Sequence, residues 1–119
     1  MGIDLIEIKK INIAELISDD IEIKNVSDAL DLMANCYAKK ASRLIIHEKN
    51  IVPEFFDLKT GILGDILQKF ATYNFRIALV GDYSKFESKN LKNFICESNK
   101  TERMLFVSSI EGAKEKLVK

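Results

Sequence analysis

The chain has 119 residues, of which 47% are apolar and 30% charged, with 18 basic and 18 acidic side chains and a formal net charge of zero. That describes one soluble domain with a real core, too short for two and too rich in large aliphatics for disorder. Zero net charge gives no whole-molecule field to draw in nucleic acid or an anionic membrane, and apolar runs of a few residues fall far short of the ~20 needed to span a bilayer.

The balance hides an asymmetry: residues 1–36 hold eight acids and three bases, and residues 37–119 ten acids and fifteen bases. Cys36 and Cys96 are the only cysteines, both inside apolar helical patterns, and the start MGIDLIEIKK lacks the basic-then-apolar profile of a secretory leader. Ile6 stands where a myristoylation signal requires serine or threonine. A cytoplasmic protein with free thiols is expected.

In chain order, LIEI at 5–8 and INIAELI at 11–17 alternate apolar and polar residues around Lys9-Lys10, which predicts a β-hairpin. Ile21 and Ile23 alternate as in a strand. The period then lengthens, and Leu30, Met33, Ala34, Tyr37 and Ala41 predict the inner stripe of a helix capped by Asn25 or Ser27. RLIIH at 43–47 reads as a fully buried strand, followed by a helix with Leu58, Ile62, Ile66, Phe70 and Tyr73 inward. FRIALVGD at 75–82 is the next strand, followed by a helix with Leu91, Phe94, Ile95 and Ser98 on one face. RMLFVSS at 103–109 is the last strand, and Ser108 with Glu111 has the spacing of a capping box for the final helix. Strands apolar at every position, alternating with amphipathic helices, predict an α/β fold: a mainly parallel sheet flanked by helices, with an N-terminal hairpin, in a single domain over 1–119.

In open α/β sheets ligands and partners meet the loops beyond the carboxyl ends of the strands. Here those ends are HEKN at 47–50, GDYSK at 81–85 and Ser108-Ser109, with Asp57, Lys59 and Thr60 at the entrance of the following helix. His47 is the only histidine, and alternation sends it and Glu48 to opposite faces, so a structural role competes with proton transfer. One histidine with no cysteine beside it makes no ordinary nitrogen and sulfur metal site, and no metal or cofactor is expected. A G-x-S-x-G nucleophile elbow is missing, and GILGD at 61–65 has neither the phosphate-loop nor the dinucleotide spacing. Its glycines are expected to let the helix pack closely on its neighbours. Lys85, Lys89, Lys92, Lys100 and Arg103, interleaved with Phe86 and Phe94, read as a solvated helix face over core aromatics. Asp57 is placed to cap a helix.

The stretches ISDDIEIKNVSDAL, FFDLKTGILGDIL and SSIEGAKEKL, in this order around RLIIH and FRIALVGDYS, resemble the sulphate-transporter and anti-sigma-factor-antagonist (STAS) domain, a β-α superhelix with an N-terminal hairpin. ALDLMANCY, IIHEKN and FFDLKTGILGDILQKF are, more specifically, similar to a family of small bacterial cytosolic proteins known as domain of unknown function 4180. The first resemblance implies a phosphorylatable, kinase-binding surface in which Thr60 takes the place of the antagonists' phosphorylated serine, Gly61 that of the glycine after it and Asp57 that of the acid. Three residues separate Asp57 from Gly61 where that motif has two, and Lys59 replaces a small residue.

The expected function is therefore a non-enzymatic regulatory or interaction module. Its surface comprises His47, Glu48, Asn50, Asp57, Lys59, Thr60, Gly61, Asp82 and Tyr83, Thr60 is its phosphoacceptor, and its partner is a kinase or another regulator. The rival from another class is a small-molecule binder or enzyme whose acid-base groups are His47, Glu48, Asp57 and Asp82. A third expectation is a homodimer formed through the hairpin edge or through helix faces.

Overall fold

The computed structural model describes residues 2–102 and 104–119. Arg103, part of the expected basic run, lies outside them. The chain starts as a hairpin of β1 (Gly2–Ile8) and β2 (Ile11–Ile17), paired in antiparallel register from Gly2 opposite Ile17 to Ile8 opposite Ile11. Lys9 and Lys10 close it with φ of 52° and 65°, the two left-handed residues that a primed two-residue turn needs to match the strand twist. Lysine adopts that conformation at a cost that glycine or asparagine would largely avoid.

Three parallel strands follow, β3 (Arg43–His47), β4 (Arg76–Val80) and β5 (Leu105–Val107), and the five-stranded sheet runs in unbroken order β1-β2-β3-β4-β5. The connections carry α1 (Val26–Ala38), α2 (Ile62–Thr72) and α3 (Lys89–Thr101), and α4 (Ile110–Leu117) follows β5. Side-chain alternation splits the core in two. Ala14, Leu16, Leu44, Ile46, Ile77, Leu79 and Phe106 point to the side holding the buried residues of α1, α2 and α3. Ile13, Ile45, Ala78, Leu105 and Val107 point the other way, against Ala113 and Leu117 of α4.

Helix starts follow capping chemistry. Asn25 accepts from the Asp28 amide at 2.9 Å and Ser88 from the Leu91 amide at 3.2 Å, each such cap contributing roughly 1 kcal/mol. At α4 the cap is Ser109, which accepts from the Gly112 amide at 3.0 Å, in place of the expected Ser108. The strand ends at Val107, and the extended residue nearest the helix supplies the cap.

Four expectations are corrected. Residues 21–23 form only an isolated bridge from Ile23 to Ile51, with Ile21 exposed, because the backbone of Asn50 takes the amides of both Glu22 and Ile23. The buried face of α1 is Ala29, Leu32, Met33 and Cys36, while Ala34 and Tyr37 face solvent. In α2 the buried set is Leu63, Ile66, Leu67 and Phe70, while Tyr73 lies just past the helix end and is exposed. Gly64 does not permit close packing either: a Cβ built there meets nothing within 4 Å, whereas Gly61 holds φ 77° at the sharp entrance of the helix.

These two glycines should behave oppositely. Gly64→Ala is expected to raise stability by about 1 kcal/mol through helix propensity, and Gly61→Ala to lower it by about 1 kcal/mol or more. Urea unfolding of the two variants against wild type checks both signs.

Candidate functional site

The parallel strands end on a shared rim. His47, the last residue of β3, faces the α4 side of the sheet, and its Nε2 lies 2.7 Å from Oε2 of Glu15 on β2. The two side chains are 22% and 11% exposed, so the pair is largely desolvated. Glu15 also stands opposite Asp4 of β1, an unfavourable placement of two carboxylates, and the His47 ring gives it a hydrogen-bond partner on the other side.

Glu48 turns to the other side, and with it the loop after β4 is fastened to the end of β3. Its Oε1 accepts the Asp82 amide at 3.3 Å and its Oε2 pairs with the Lys85 ammonium, in a side chain only 18% exposed. Gly81 makes this approach feasible: a Cβ there would lie 2.8 Å from both Cβ and Oε1 of Glu48. Asp82 is a capping residue of that loop. Its Oδ1 accepts from the Ser84 hydroxyl at 2.6 Å and the Ser84 amide at 3.1 Å, which holds the carboxyl below its usual range. Tyr83 donates its hydroxyl to the Leu79 carbonyl and packs edge-on against Phe106 at 5.3 Å. Burial, with Glu48 nearby, pushes its phenol far above its ordinary value, so Tyr83 anchors the loop and moves no proton near neutral pH.

Between these loops lies an open groove of about 390 Å³. Phe86 stacks on Phe56 with centroids 4.7 Å apart to form its aromatic part. Ile21, Ile51 and Pro53 add aliphatic surface, and Glu48, Lys49 and Lys85 supply charge. Lys49 is shared with a neighbouring hollow of about 280 Å³ that reaches His47 and Ile17, and its ammonium lies 3.3 Å from Asp19 on that side.

Asn50 is fully buried. Its amide donates to the Ser18 and Asp20 carbonyls at 2.8 and 2.9 Å, so it braces the connection after β2 and presents no surface to a partner. Asp57, Lys59, Thr60 and Gly61 form a turn of their own. Asp57 Oδ1 accepts the Lys59 amide at 3.1 Å, capping a short 3₁₀ turn and not α2 itself. The Thr60 hydroxyl has the Asp57 and Glu54 carbonyls at 2.9 and 3.0 Å and accepts the Ile62 amide at 3.3 Å. Among the described residues no hydrogen bond or ion pair links this turn to 47–50 or 81–85, and none of its residues lines either hollow. The structure thus brings Glu48, Asp82 and Tyr83 together, sets His47 on the opposite side with Glu15, and leaves 57–61 separate.

Sequence reasoning missed Glu15 and Phe56, and it read Lys85 and Phe86 as a solvated helix face over core aromatics, whereas they precede α3 and line the groove. The alternation that puts Glu15 on one face with Ile13 carried a signal for Glu15, and the GDYSK loop carried one for Lys85; the aromatic pair comes from segments 30 residues apart and carried none. Among the described residues no group of three or more histidine, cysteine, aspartate or glutamate side chains is placed to hold a metal ion, and no helix is long and apolar enough to cross a membrane.

Both cysteines are free, Cys36 buried and Cys96 exposed. Burial pushes the Cys36 thiol up to about 11, so little thiolate is present near pH 8. A disulfide reagent at that pH is expected to titrate Cys96 in the native protein and Cys36 only after denaturant is added. Equal rates for both thiols would contradict the packing of α1. Gly81→Ala is expected to destabilise by roughly 1–3 kcal/mol, since the Glu48 Cβ it meets is fixed to the backbone. Denaturation of the variant alone and together with Glu48→Gly, which removes that Cβ, should recover most of the loss as a coupling energy.

No curated protein and no solved structure matches the chain. A family model described as "Domain of unknown function (DUF4180)" matches residues 8–117. With nearly the full length of the domain inside that match, from the last residue of β1 to the last of α4, the chain belongs to the DUF4180 family.

Proposed function

We propose that this chain is a non-enzymatic regulatory module of the bacterial cytoplasm, with a STAS-like topology, that docks a protein partner in the groove at the carboxyl ends of β3 and β4. The observation that carries this reading is the state of the charges around the groove. Glu48 is engaged by Lys85, Lys49 by Asp19, and His47 on the neighbouring side by Glu15. The other two acid-base candidates are likewise held locally, Asp57 by the Lys59 amide and Asp82 by Ser84. What is left open is mainly apolar, formed by Ile21, which is 41% exposed, and by the half-buried Phe86 stacked over the buried Phe56. A shallow apolar groove with a charged rim suits side chains of a protein segment better than it suits enclosure of a small substrate. The hairpin followed by helix-linked parallel strands in unbroken order supports the STAS-like assignment, and two free cysteines fit a reducing compartment.

Thr60 is the phosphoacceptor in this scheme. It is exposed, and esterifying its hydroxyl removes the hydrogen it shares with the Glu54 and Asp57 carbonyls, so a phosphate would reset the turn that leads into α2. Lys59 beside it and the amino end of α2 would accommodate the added charge.

The test is affinity capture from a bacterial lysate with wild-type bait, Ile21→Asp and Thr60→Glu, combined with intact-mass analysis of the bait and hydrogen exchange on the recovered complex. A partner that Ile21→Asp loses at least about tenfold, with protection over 48–53 and 81–86, is the expected result. A small molecule co-purifying with every bait while no protein is retained would overturn the reading in favour of a ligand site.

A further inference from the structure

We propose that the chain forms a two-fold dimer in which the outer face of α1 packs antiparallel against the same face of a second copy. Beside the buried set already described, α1 carries a second apolar stripe of Leu30, Ala34 and Tyr37. Tyr73, at the end of α2, extends the stripe, and together they line a hollow of about 360 Å³. Tyr37 is 56% exposed and Tyr73 49%, which makes them two of the few large apolar side chains so open to water. A helix that is apolar on adjacent faces has been built to be buried twice, and the single sheet beneath it covers only one of them.

Charge selects the occupant. Asp31 flanks the stripe at the amino end of α1, and Lys39 and Lys40 follow its carboxyl end, all three exposed. An antiparallel two-fold centred between Met33 and Ala34 sets Leu30 of one copy against Tyr37 of the other. It also brings the Asp31 end of each helix over the lysine end of its mate, with the helix dipoles opposed. A second copy therefore supplies complementary shape and charge from the same residues, as an isologous interface requires. Ala34 at the centre lets the backbones come close. Tyr37 is already held edge-on by Phe75, with ring centroids 5.3 Å apart at 77°, so little rotamer freedom remains to be lost when the faces meet. None of these residues lines the groove beside Glu48, and the dimer neither depends on that groove's role nor blocks it.

Sedimentation equilibrium over micromolar to millimolar protein tests the proposal. Wild type is expected to approach twice the chain mass. Tyr37→Glu, at an exposed position, should raise the dissociation constant more than about tenfold while the dilute monomer keeps the wild-type far-ultraviolet spectrum. Asp31→Lys alone and the Lys39→Glu/Lys40→Glu pair alone should each weaken association, and the three changes in one chain should restore it, because the swapped charges again face each other. A wild-type monomer at every concentration would overturn the proposal. So would a dimer indifferent to Tyr37→Glu, which would point to another face such as the free edge of β1.

Discussion

The architecture depends on the unbroken order of its parallel strands. Right-handed crossovers between successive neighbours put every crossover helix on the same side of the sheet, and α1, α2 and α3 do share one core cluster. The opposite side is left to the last element. At eight residues α4 packs over the β3–β5 part of it and leaves Ile6, Ile8 and Ile11 of the hairpin only partly buried. The uncovered remainder is where polar groups can enter the sheet surface, and Glu15 and His47 occupy it as a pair. A free carboxylate at Glu15, nearly as buried as the core and opposite Asp4, would be costly without that partner.

The same arrangement explains the charge asymmetry along the chain. Helices run back against the strands, so their amino ends and the strand carboxyl ends share one pole, and the helix carboxyl ends collect at the other. Asp28, Asp65 and Glu111 lie in first turns, and Lys69, Lys100, Lys114 and Lys116 in last turns. These signs sit where the helix dipole favours them, with α3, which opens on Lys89 and has no acid in its first turn, as the exception. Of the eight acids before residue 37, Asp19, Asp20 and Glu22 lie in the strand-end connection, and the lysines at 39 and 40 already belong to the other pole. Zero net charge thus conceals a partial separation of signs between the two poles.

Much of the backbone was legible because local chemistry and long-range packing agreed there. RLIIH and FRIALV are apolar at nearly every position, which leaves a buried strand as their only home, and Lys9-Lys10 interrupts an alternation that pairs across it residue for residue. Legibility failed where a pattern had two solutions. The stripe read from the period of α1, Leu30, Met33, Ala34, Tyr37 and Ala41, mixes two faces: Met33 and Ala41 are buried while Ala34 and Tyr37 face solvent, since two apolar stripes stand side by side and nothing in the spacing says which meets the sheet. Ile21 and Ile23 alternate like a strand, but a buried Asn50 from a distant segment takes the backbone amides that a strand would have used. The site was legible only as a location. The rim at 47–50 and 81–85 follows from where strands end, while the joining of Glu48 to Lys85, of His47 to Glu15 and of Phe56 to Phe86 depends on contacts between residues 30 or more positions apart.

The two surfaces that stay open differ in kind. The groove beside Glu48 is bounded by loops, with its charges already paired inside the chain, so a partner there would gain mainly by covering Phe86 and Ile21. The face of α1 is a rigid helix, and among the described residues no ion pair takes up Asp31, Lys39 or Lys40. The loop after β4 is pinned by Glu48 and Tyr83, and between these points its exposed side chains can still turn to receive different segments, whereas a helix face accepts one geometry. A dimer built on the rigid face would hold two adaptable grooves in fixed relation. A partner presenting two docking segments would then bind the pair with an effective concentration set by that geometry, so that modest affinity at each groove is enough for firm capture.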